Sequence, residues 1–96
     1  MKKFMFLAYG YETPSPEIHD AWGKWFASIG DKIVDGGNPF GPGKEITHNG
    51  IKELPHDLGA ITGYTIINAE NMDEAVEIAK GCPIITSLRV YEAMSM

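Results

Sequence analysis

The chain has one cysteine, no long apolar run and few positive charges. Cys82 has no partner for an internal disulfide, as is usual for proteins of a reducing cytosol. The apolar run at residues 4–9 is too short for the core of a signal peptide, and no run approaches the ~20 apolar residues of a membrane helix. We therefore expect a soluble, cytoplasmic protein without a membrane partner.

The common motifs for nucleic-acid, metal and phosphate binding are also missing. The formal net charge of −5 argues against a nucleic-acid partner, because such proteins normally carry a basic face. The histidines are widely spaced, and neither Cys-x-x-Cys nor His-Glu-x-x-His occurs. The glycine-rich residues 36–43 lack the Gly-Lys-Ser/Thr ending of a phosphate loop. We expect no metal and no cofactor.

The first half of the chain carries a strand signal followed by a helix signal, within 96 residues that make one domain, 1–96. Residues 4–9 are apolar at every position, which predicts a central strand covered on both faces. A helix then begins after Ser15 as N-cap, with Pro16 at its first position. Its apolar stripe is rich in aromatic residues and consists of Ile18, Trp22, Trp25, Phe26 and Ile29.

The second half repeats this alternation. Residues 32–35 can start a second strand, and Asn49-Gly50 marks a small hairpin. Residues 60–68 predict a third strand, in which Gly63 indicates a bulge or a close approach by backbone or ligand. A capping-box pattern, Asn71 to Glu74, begins the second helix, and the last strand follows at 84–94.

The resulting order, β-α-β-hairpin-β-α-β, predicts an α+β fold of the ferredoxin-like type, with an antiparallel sheet and both helices on one face. The second face then carries apolar side chains, with Phe4, Phe6, Tyr64 and Ile66 as candidates. A homodimer that packs two such faces together would remove them from water. Self-association also suits a short chain, which buries only a modest core by itself.

Residues 35–44 separate the two halves, and six of these ten residues are Gly or Pro. The stretch cannot be a regular helix. It is either a plain connector or the rim of a pocket, since glycine lets a backbone approach a ligand closely. In the second interpretation Asn38 and the neighbouring glycine backbone orient a small-molecule ligand, while Phe40, Trp22 and Tyr64 supply apolar walls.

His19 is the best candidate for acid–base catalysis. It lies beside the aromatic stripe of the first helix, where partial desolvation can tune an imidazole for proton transfer. The alternative is an inert histidine at the rim of the core. His48 and His56 are expected to be exposed to solvent. Cys82 follows a helix C-terminus, which disfavours a thiolate, so we interpret it as a small buried residue and not a nucleophile.

A succession of short motifs covers nearly the whole chain. It consists of Phe4-Met5-Phe6-Leu7, Ser15-Pro16-Glu17, Trp22-Gly23-Lys24-Trp25, Val34-Asp35-Gly36-Gly37-Asn38-Pro39, Gly63-Tyr64, Asp73-Glu74-Ala75-Val76-Glu77-Ile78-Ala79-Lys80-Gly81-Cys82-Pro83 and Val90-Tyr91-Glu92. This succession resembles the YCII-related family, also called the DGPF-domain family, of the dimeric α+β barrel superfamily.

The resemblance implies a ferredoxin-like fold that assembles as a dimeric α+β barrel. It also implies relatives that act as small-molecule enzymes, including a dehydrochlorinase of aromatic degradation. A His-Asp pair is proposed as catalytic in part of the family. His19 matches that histidine by its position on the first helix, whereas Cys82 stands where the aspartate is expected.

Two functions from different classes follow. The first is a cofactor-independent enzyme of lyase or isomerase type in which His19 moves a proton. The second is a non-catalytic homodimer that binds a small molecule or has a purely structural role. A cavity in which His19 pairs with an acid such as Asp35 or Asp57 would favour the enzyme.

Overall fold

The computed structural model describes residues 1–95, so Met96, the last residue of the predicted domain, lies outside the described residues. The elements follow the predicted order and are β1 (Lys2–Tyr9), α1 (Pro16–Ser28), a short 3₁₀ turn (Gly30–Lys32), β2 (Ile33–Asp35), β3 (Gly43–Thr47), β4 (Gly50–Leu54), β5 (Ile61–Ala69), α2 (Met72–Lys80) and β6 (Ser87–Ala93). The α+β class is therefore as predicted.

Four of the strands form one sheet, in the order β2-β5-β1-β6, and every neighbouring pair is antiparallel. β1 lies between β5 and β6, which confirms the prediction of a central strand. β3 and β4 form a separate two-stranded sheet. The first and last strands of the chain are thus neighbours, and β2 lies at the edge nearest the loop that leads to β3.

Both helices contribute to one core on the same side of the four-stranded sheet. Phe4 and Phe6 are 0% and 1% exposed, and they belong to one buried cluster with side chains of both helices. The cluster also contains Trp25, Ile29, Ile67, Ala69, Ala75, Ala79 and Cys82. Burial of this apolar surface is the main stabilising contribution to the fold.

The assignment of Phe4 and Phe6 to the second face is wrong. Because side chains alternate along a strand, their burial under the helices places Met5 and Leu7 on the opposite face. Met5 pairs with Ile66, and Leu7 pairs with Tyr64. Tyr64 and Ile66 therefore do belong to this face, as predicted. We call this surface, which includes Met5, Leu7, Tyr64 and Ile66, the open face.

Side-chain caps fix where each helix begins. The Ser15 hydroxyl accepts a hydrogen bond from the Ile18 amide at 3.3 Å. The Asn71 side-chain oxygen accepts one from the Glu74 amide at 2.9 Å. Both caps were predicted, and each satisfies an amide that the helix leaves without a backbone partner. Within residues 1–95 no helix has the length and apolar content needed to cross a membrane.

The hairpin of β3 and β4 projects away from the core. Its turn consists of His48 and Asn49, and Gly50 opens β4 with a φ of 141°. All residues of both strands are exposed, and the cross-strand partners Ile46 and Ile51 are 79% and 69% exposed. The prediction of a small hairpin that adds little to the core is confirmed, but its two-residue turn is His48-Asn49 and not Asn49-Gly50.

Candidate functional site

A cavity of about 350 Å³ lies between α1 and the helix-covered side of the sheet. This volume lies near the lower end of the range for small-molecule sites. Its aromatic wall comes from α1, where the Trp22 ring lies 5.7 Å from the rings of both Trp25 and Phe26, measured between centroids. Phe6 of β1 and Leu88 of β6 also border it. The cavity is therefore largely apolar and open to one side.

Residues 35–44, which we call the Gly/Pro stretch, form part of this boundary because they pack along β5. The Phe40 amide donates to the Thr62 carbonyl at 2.8 Å, and the Thr65 hydroxyl donates to the Gly36 carbonyl at 3.4 Å. Pro39 forms an isolated bridge with Gly63. The pairing of β2 with β5 is irregular between Ile33 and Asp35, and residues 36–40 then continue along β5.

Two glycines make this close approach feasible. Gly37 has a φ of 77°, and a Cβ placed on it would lie 2.7 Å from the Tyr64 carbonyl carbon and closer still to its oxygen. A Cβ on Gly63 would lie 3.6 Å from the Asn38 carbonyl oxygen. The register of β1 against β5 also shifts beside Gly63. The prediction that Gly63 marks a bulge or a close backbone approach is confirmed.

All five residues predicted for the site border this one cavity. They are His19, Trp22, Asn38, Phe40 and Tyr64. Residues from helix α1, from the Gly/Pro stretch and from β5 are therefore brought together by the fold. Of the two interpretations of residues 35–44, the position at a cavity rim agrees with the structure.

Phe40 and Tyr64 lie at the margin of the cavity and do not form its aromatic wall. Their rings stack with centroids 5.7 Å apart and an angle of 26° between planes. The Tyr64 hydroxyl donates to Asp35 Oδ2 at 3.1 Å. Since Tyr64 pairs with Leu7, its side chain belongs to the open face. The wall is instead built by Trp22 with Trp25 and Phe26, which the sequence showed as a helix stripe.

His19 lies at the exposed side of the cavity. Its imidazole has no hydrogen-bonded acid among residues 1–95, and the two acids considered as partners are engaged elsewhere. Asp35 accepts bonds from the Gly37 amide and the Tyr64 hydroxyl, while Asp57 accepts one from the Gly59 amide at 2.9 Å. Glu12, in the loop after β1, is the one carboxylate among the described residues that border the cavity. No His-Asp pair is present in the described part of the chain.

His56 is the site residue that sequence reasoning missed. The expectation of a solvent-exposed side chain is wrong, because its ring is half-buried and stacks on Tyr11 with centroids 3.9 Å apart. Both rings border the cavity. The Tyr11 amide donates to the Asp57 carbonyl at 3.0 Å, which holds the two loops together. No local sequence pattern predicts this contact, since Tyr11 and His56 are far apart in the chain.

Cys82 also borders the cavity but carries no nucleophile. Its side chain is 6% exposed, and burial raises the pKa of the thiol to about 12. The thiol is therefore neutral at physiological pH, as expected from the sequence. The physical cause is loss of water around the sulfur rather than the helix C-terminus.

The comparisons with known proteins leave the chain without a family assignment. Among residues 1–95, no three His, Cys, Asp or Glu side chains are grouped closely enough to hold a metal ion. No protein-family model, curated protein or solved structure matches the chain.

Proposed function

We propose that this chain binds a small, mainly apolar organic molecule in the cavity beside α1, and that His19 acts on it as a general acid–base without a cofactor. The observation that carries the proposal is that a histidine borders an aromatic-walled cavity of about 350 Å³. An apolar cavity of about 150 Å³ already binds benzene. The volume here leaves room for a molecule of about two rings.

The chemistry that fits these residues is proton transfer at carbon. An imidazole readily takes up and releases a proton near neutral pH. In an isomerisation, His19 removes a proton from one carbon and the same proton is returned to another. In an elimination, it removes the proton while the leaving group departs with the electron pair of its own bond. Neither reaction changes the oxidation state of the protein or needs an external reductant.

The proposed assembly is a homodimer of YCII-related, ferredoxin-like subunits. The strand order β2-β5-β1-β6 and the burial of both helices in one core support the ferredoxin-like arrangement. The apolar side chains of the open face, with Tyr91 of β6 52% exposed, support a second copy as the cover. The same proposal includes a cytoplasmic location, in keeping with the single, buried thiol of Cys82.

The dimer is tested by sedimentation equilibrium of the wild-type protein and of Leu7→Lys. The chain has a mass of 10.5 kDa, and we expect the wild type to sediment at twice that value. Leu7→Lys, on the open face, is expected to sediment as a monomer. Ile46→Lys, on the exposed hairpin, is the matched control and should leave the dimer intact. A monomeric wild type would overturn this part of the proposal.

A non-catalytic binding protein or a structural dimer is the second candidate. The observation in its favour is that no carboxylate among residues 1–95 is hydrogen-bonded to His19. Asp35 and Asp57 instead accept bonds from neighbouring backbone amides. Residues that orient the catalytic base usually contribute substantially to catalysis. In this alternative the cavity binds the same class of molecule, and His19 only contributes to the polar rim.

The two candidates are separated by binding and exchange of 2-tetralone, an uncharged two-ring ketone with acidic C–H bonds. Binding is followed by the fluorescence of Trp22 and Trp25, which border the cavity. Proton removal is followed in D₂O, where the ketone loses its proton signals next to the carbonyl. We expect wild type to accelerate this exchange, His19→Asn to lose about 100-fold or more of the acceleration, and His48→Asn to behave as wild type.

Binding without accelerated exchange would favour the non-catalytic candidate. Equal exchange by His19→Asn and wild type would remove His19 from the proposed mechanism. If the ketone does not bind at all, the assignment of this cavity as the functional site is wrong.

A further inference from the structure

The cavity contains a second imidazole in addition to His19, and its surroundings differ from those of the first. One face of the His56 ring is covered by Tyr11, at 3.9 Å between centroids and with 27° between the planes. The ring is half-buried, whereas His19 is exposed. Among residues 1–95, no protein group forms a hydrogen bond with a ring nitrogen of His56. The edge of this ring is therefore held in place while its nitrogens stay available.

The loop that carries His56 is fastened to the rest of the cavity rim on both sides. The Tyr11 amide donates to the Asp57 carbonyl at 3.0 Å, and the Gly10 amide donates to the Ala60 carbonyl at 2.8 Å. The Thr86 hydroxyl donates to the Leu58 carbonyl. Three loops thus meet around the His56–Tyr11 stack. A donor held in this way needs little reorganisation to bind a ligand.

Several other polar groups of the cavity already have acceptors in the protein. The Thr62 hydroxyl donates to the Gly10 carbonyl at 3.0 Å, and the Thr65 hydroxyl donates to the Gly36 carbonyl. These two hydroxyls would have to give up a bond before they could donate to a ligand, whereas His56 would not.

The charges around the cavity restrict which ligand oxygen His56 can meet. No Lys or Arg is among the described residues that border it, and Glu12 contributes a carboxylate. A carboxylate or phosphate ligand would enter a mostly apolar site without a permanent positive charge, which is costly. An uncharged carbonyl or hydroxyl oxygen fits this environment better, because one neutral donor is sufficient for it.

We propose that His56 is the second functional side chain of the cavity and that it donates a hydrogen bond to an oxygen of an uncharged ligand. The inference depends on the proposed function, in which His19 exchanges a proton with carbon in the same cavity. If the ligand is a carbonyl compound, removal of a proton beside the carbonyl shifts negative charge onto its oxygen. The N–H of His56 stabilises that charge, so the two imidazoles divide the acid and base roles.

The test uses 2-tetralone labelled with ¹³C at its carbonyl and compares four proteins. His56→Phe keeps an aromatic ring that can stack on Tyr11 but has no N–H. His56→Gln restores a donor without the ring. His48→Asn changes the exposed histidine of the hairpin turn and is the matched control. The measurements are the dissociation constant, the carbonyl ¹³C shift of the bound ketone and the histidine ring signals of the wild type.

We expect the bound carbonyl signal to move downfield in wild type and in His48→Asn, and this shift to disappear in His56→Phe. The dissociation constant should rise about 3- to 10-fold in His56→Phe, the range of one lost hydrogen bond. His56→Gln should recover at least part of the shift. In the wild type, the ring signals of His56 should move on ligand addition and those of His48 should not. 2-Naphthoate, the anionic comparison, should bind at least about 10-fold more weakly than the ketone.

Failure of this inference is distinguishable from failure of the proposed function. If His19→Asn abolishes exchange while His56→Phe leaves the carbonyl shift unchanged, His56 is not the donor and the role of His19 stands. If His56→Gln recovers nothing, His56 acts through packing and the inference is wrong. Tighter binding of 2-naphthoate would overturn the preference for uncharged ligands. If the ketone binds to none of the proteins, both proposals are wrong. If a variant does not fold, the ring signals of His56 in the wild type still show whether this side chain meets the ligand.

Discussion

Replacement of Gly37 by alanine tests the central feature of the site, the packing of the Gly/Pro stretch against β5. Gly37 has a φ of 77°, and its added Cβ would meet the Tyr64 carbonyl group. That group is backbone in the middle of the sheet, so no side chain can rotate to make room. The stretch itself must therefore move away from β5.

The cost has two contributions. A left-handed φ costs an alanine roughly 1–2 kcal/mol. Moving the stretch also breaks the bonds from the Phe40 amide to the Thr62 carbonyl and from the Thr65 hydroxyl to the Gly36 carbonyl. Each bond contributes about 1 kcal/mol net. Together, the free energy of unfolding should fall by about 3–4 kcal/mol, a large part of the ~5–15 kcal/mol typical of a domain.

Gly36→Ala is the matched control, because a Cβ on Gly36 meets no atom within 4 Å and its φ is not positive. We expect the free energy of unfolding of this variant to lie within about 1 kcal/mol of the wild-type value. Urea unfolding followed by tryptophan fluorescence and far-UV circular dichroism measures both free energies. A melting temperature lowered by more than about 10 °C in Gly37→Ala alone would agree with the estimate.

Hydrogen exchange adds a local measurement, since the Phe40 amide should lose its protection in Gly37→Ala and keep it in Gly36→Ala. The close packing at Gly37 is refuted if the two variants have the same stability within about 0.5 kcal/mol and the Phe40 amide stays protected in both. That result would mean that residues 36–40 do not pack along β5. The rim of the proposed cavity would then be absent.

Three further predictions concern buried side chains: an indole, an isoleucine and a thiol. Trp25→Phe removes the hydrogen bond from the indole to the Ile78 carbonyl, 3.0 Å long, and should lower the free energy of unfolding in urea by about 2–3 kcal/mol. Trp22→Phe, whose indole forms no hydrogen bond within residues 1–95, should lower it by less. Equal losses in the two variants would count against this bond. Ile67→Val, at a fully buried position, should lower the free energy of unfolding by about 1 kcal/mol, whereas Ile51→Val on the hairpin should lower it by less than about 0.5 kcal/mol. A larger loss for Ile51→Val would show that the hairpin is covered. The pKa of Cys82 is about 12 in the folded chain against an ordinary 9.0, so the unfolded chain loses its thiol proton first and the free energy of unfolding should fall as pH rises from about 9 to about 12. Cys82→Ala should remove this fall, by at most about 1.4 kcal/mol per pH unit, and parallel pH profiles of the two proteins would contradict the burial of the thiol.

Much of the site was accessible from the sequence because its markers are local. The hydroxyl of Ser15 and the amide of Asn71 begin the two helices at the predicted residues. The density of glycine and proline in residues 35–44 marked a segment that packs closely on its neighbour. His19 and Trp22 lie near one another on one turn of α1, so their shared surroundings follow from helical spacing alone.

Other features of the site could not be predicted in this way. The stack of His56 on Tyr11 joins two loops that have no sequence relation, and only the bonds between those loops bring the rings together. Asp35 was considered as an acid for His19. In the structure its carboxylate is occupied by the Gly37 amide and the Tyr64 hydroxyl, a consequence of how β2 meets β5.

The sequence by itself therefore determined the order of elements, the helix starts and the special role of glycine, because each of these is encoded in residues that are neighbours along the chain. Tertiary structure decided which face each side chain of β1 occupies. A strand that is apolar at every position carries no alternation from which the face can be read. The packing of both helices against Phe4 and Phe6, including Trp25 of α1, selected the buried side. The same packing left the cavity beside α1, whose lining joins residues from distant parts of the chain.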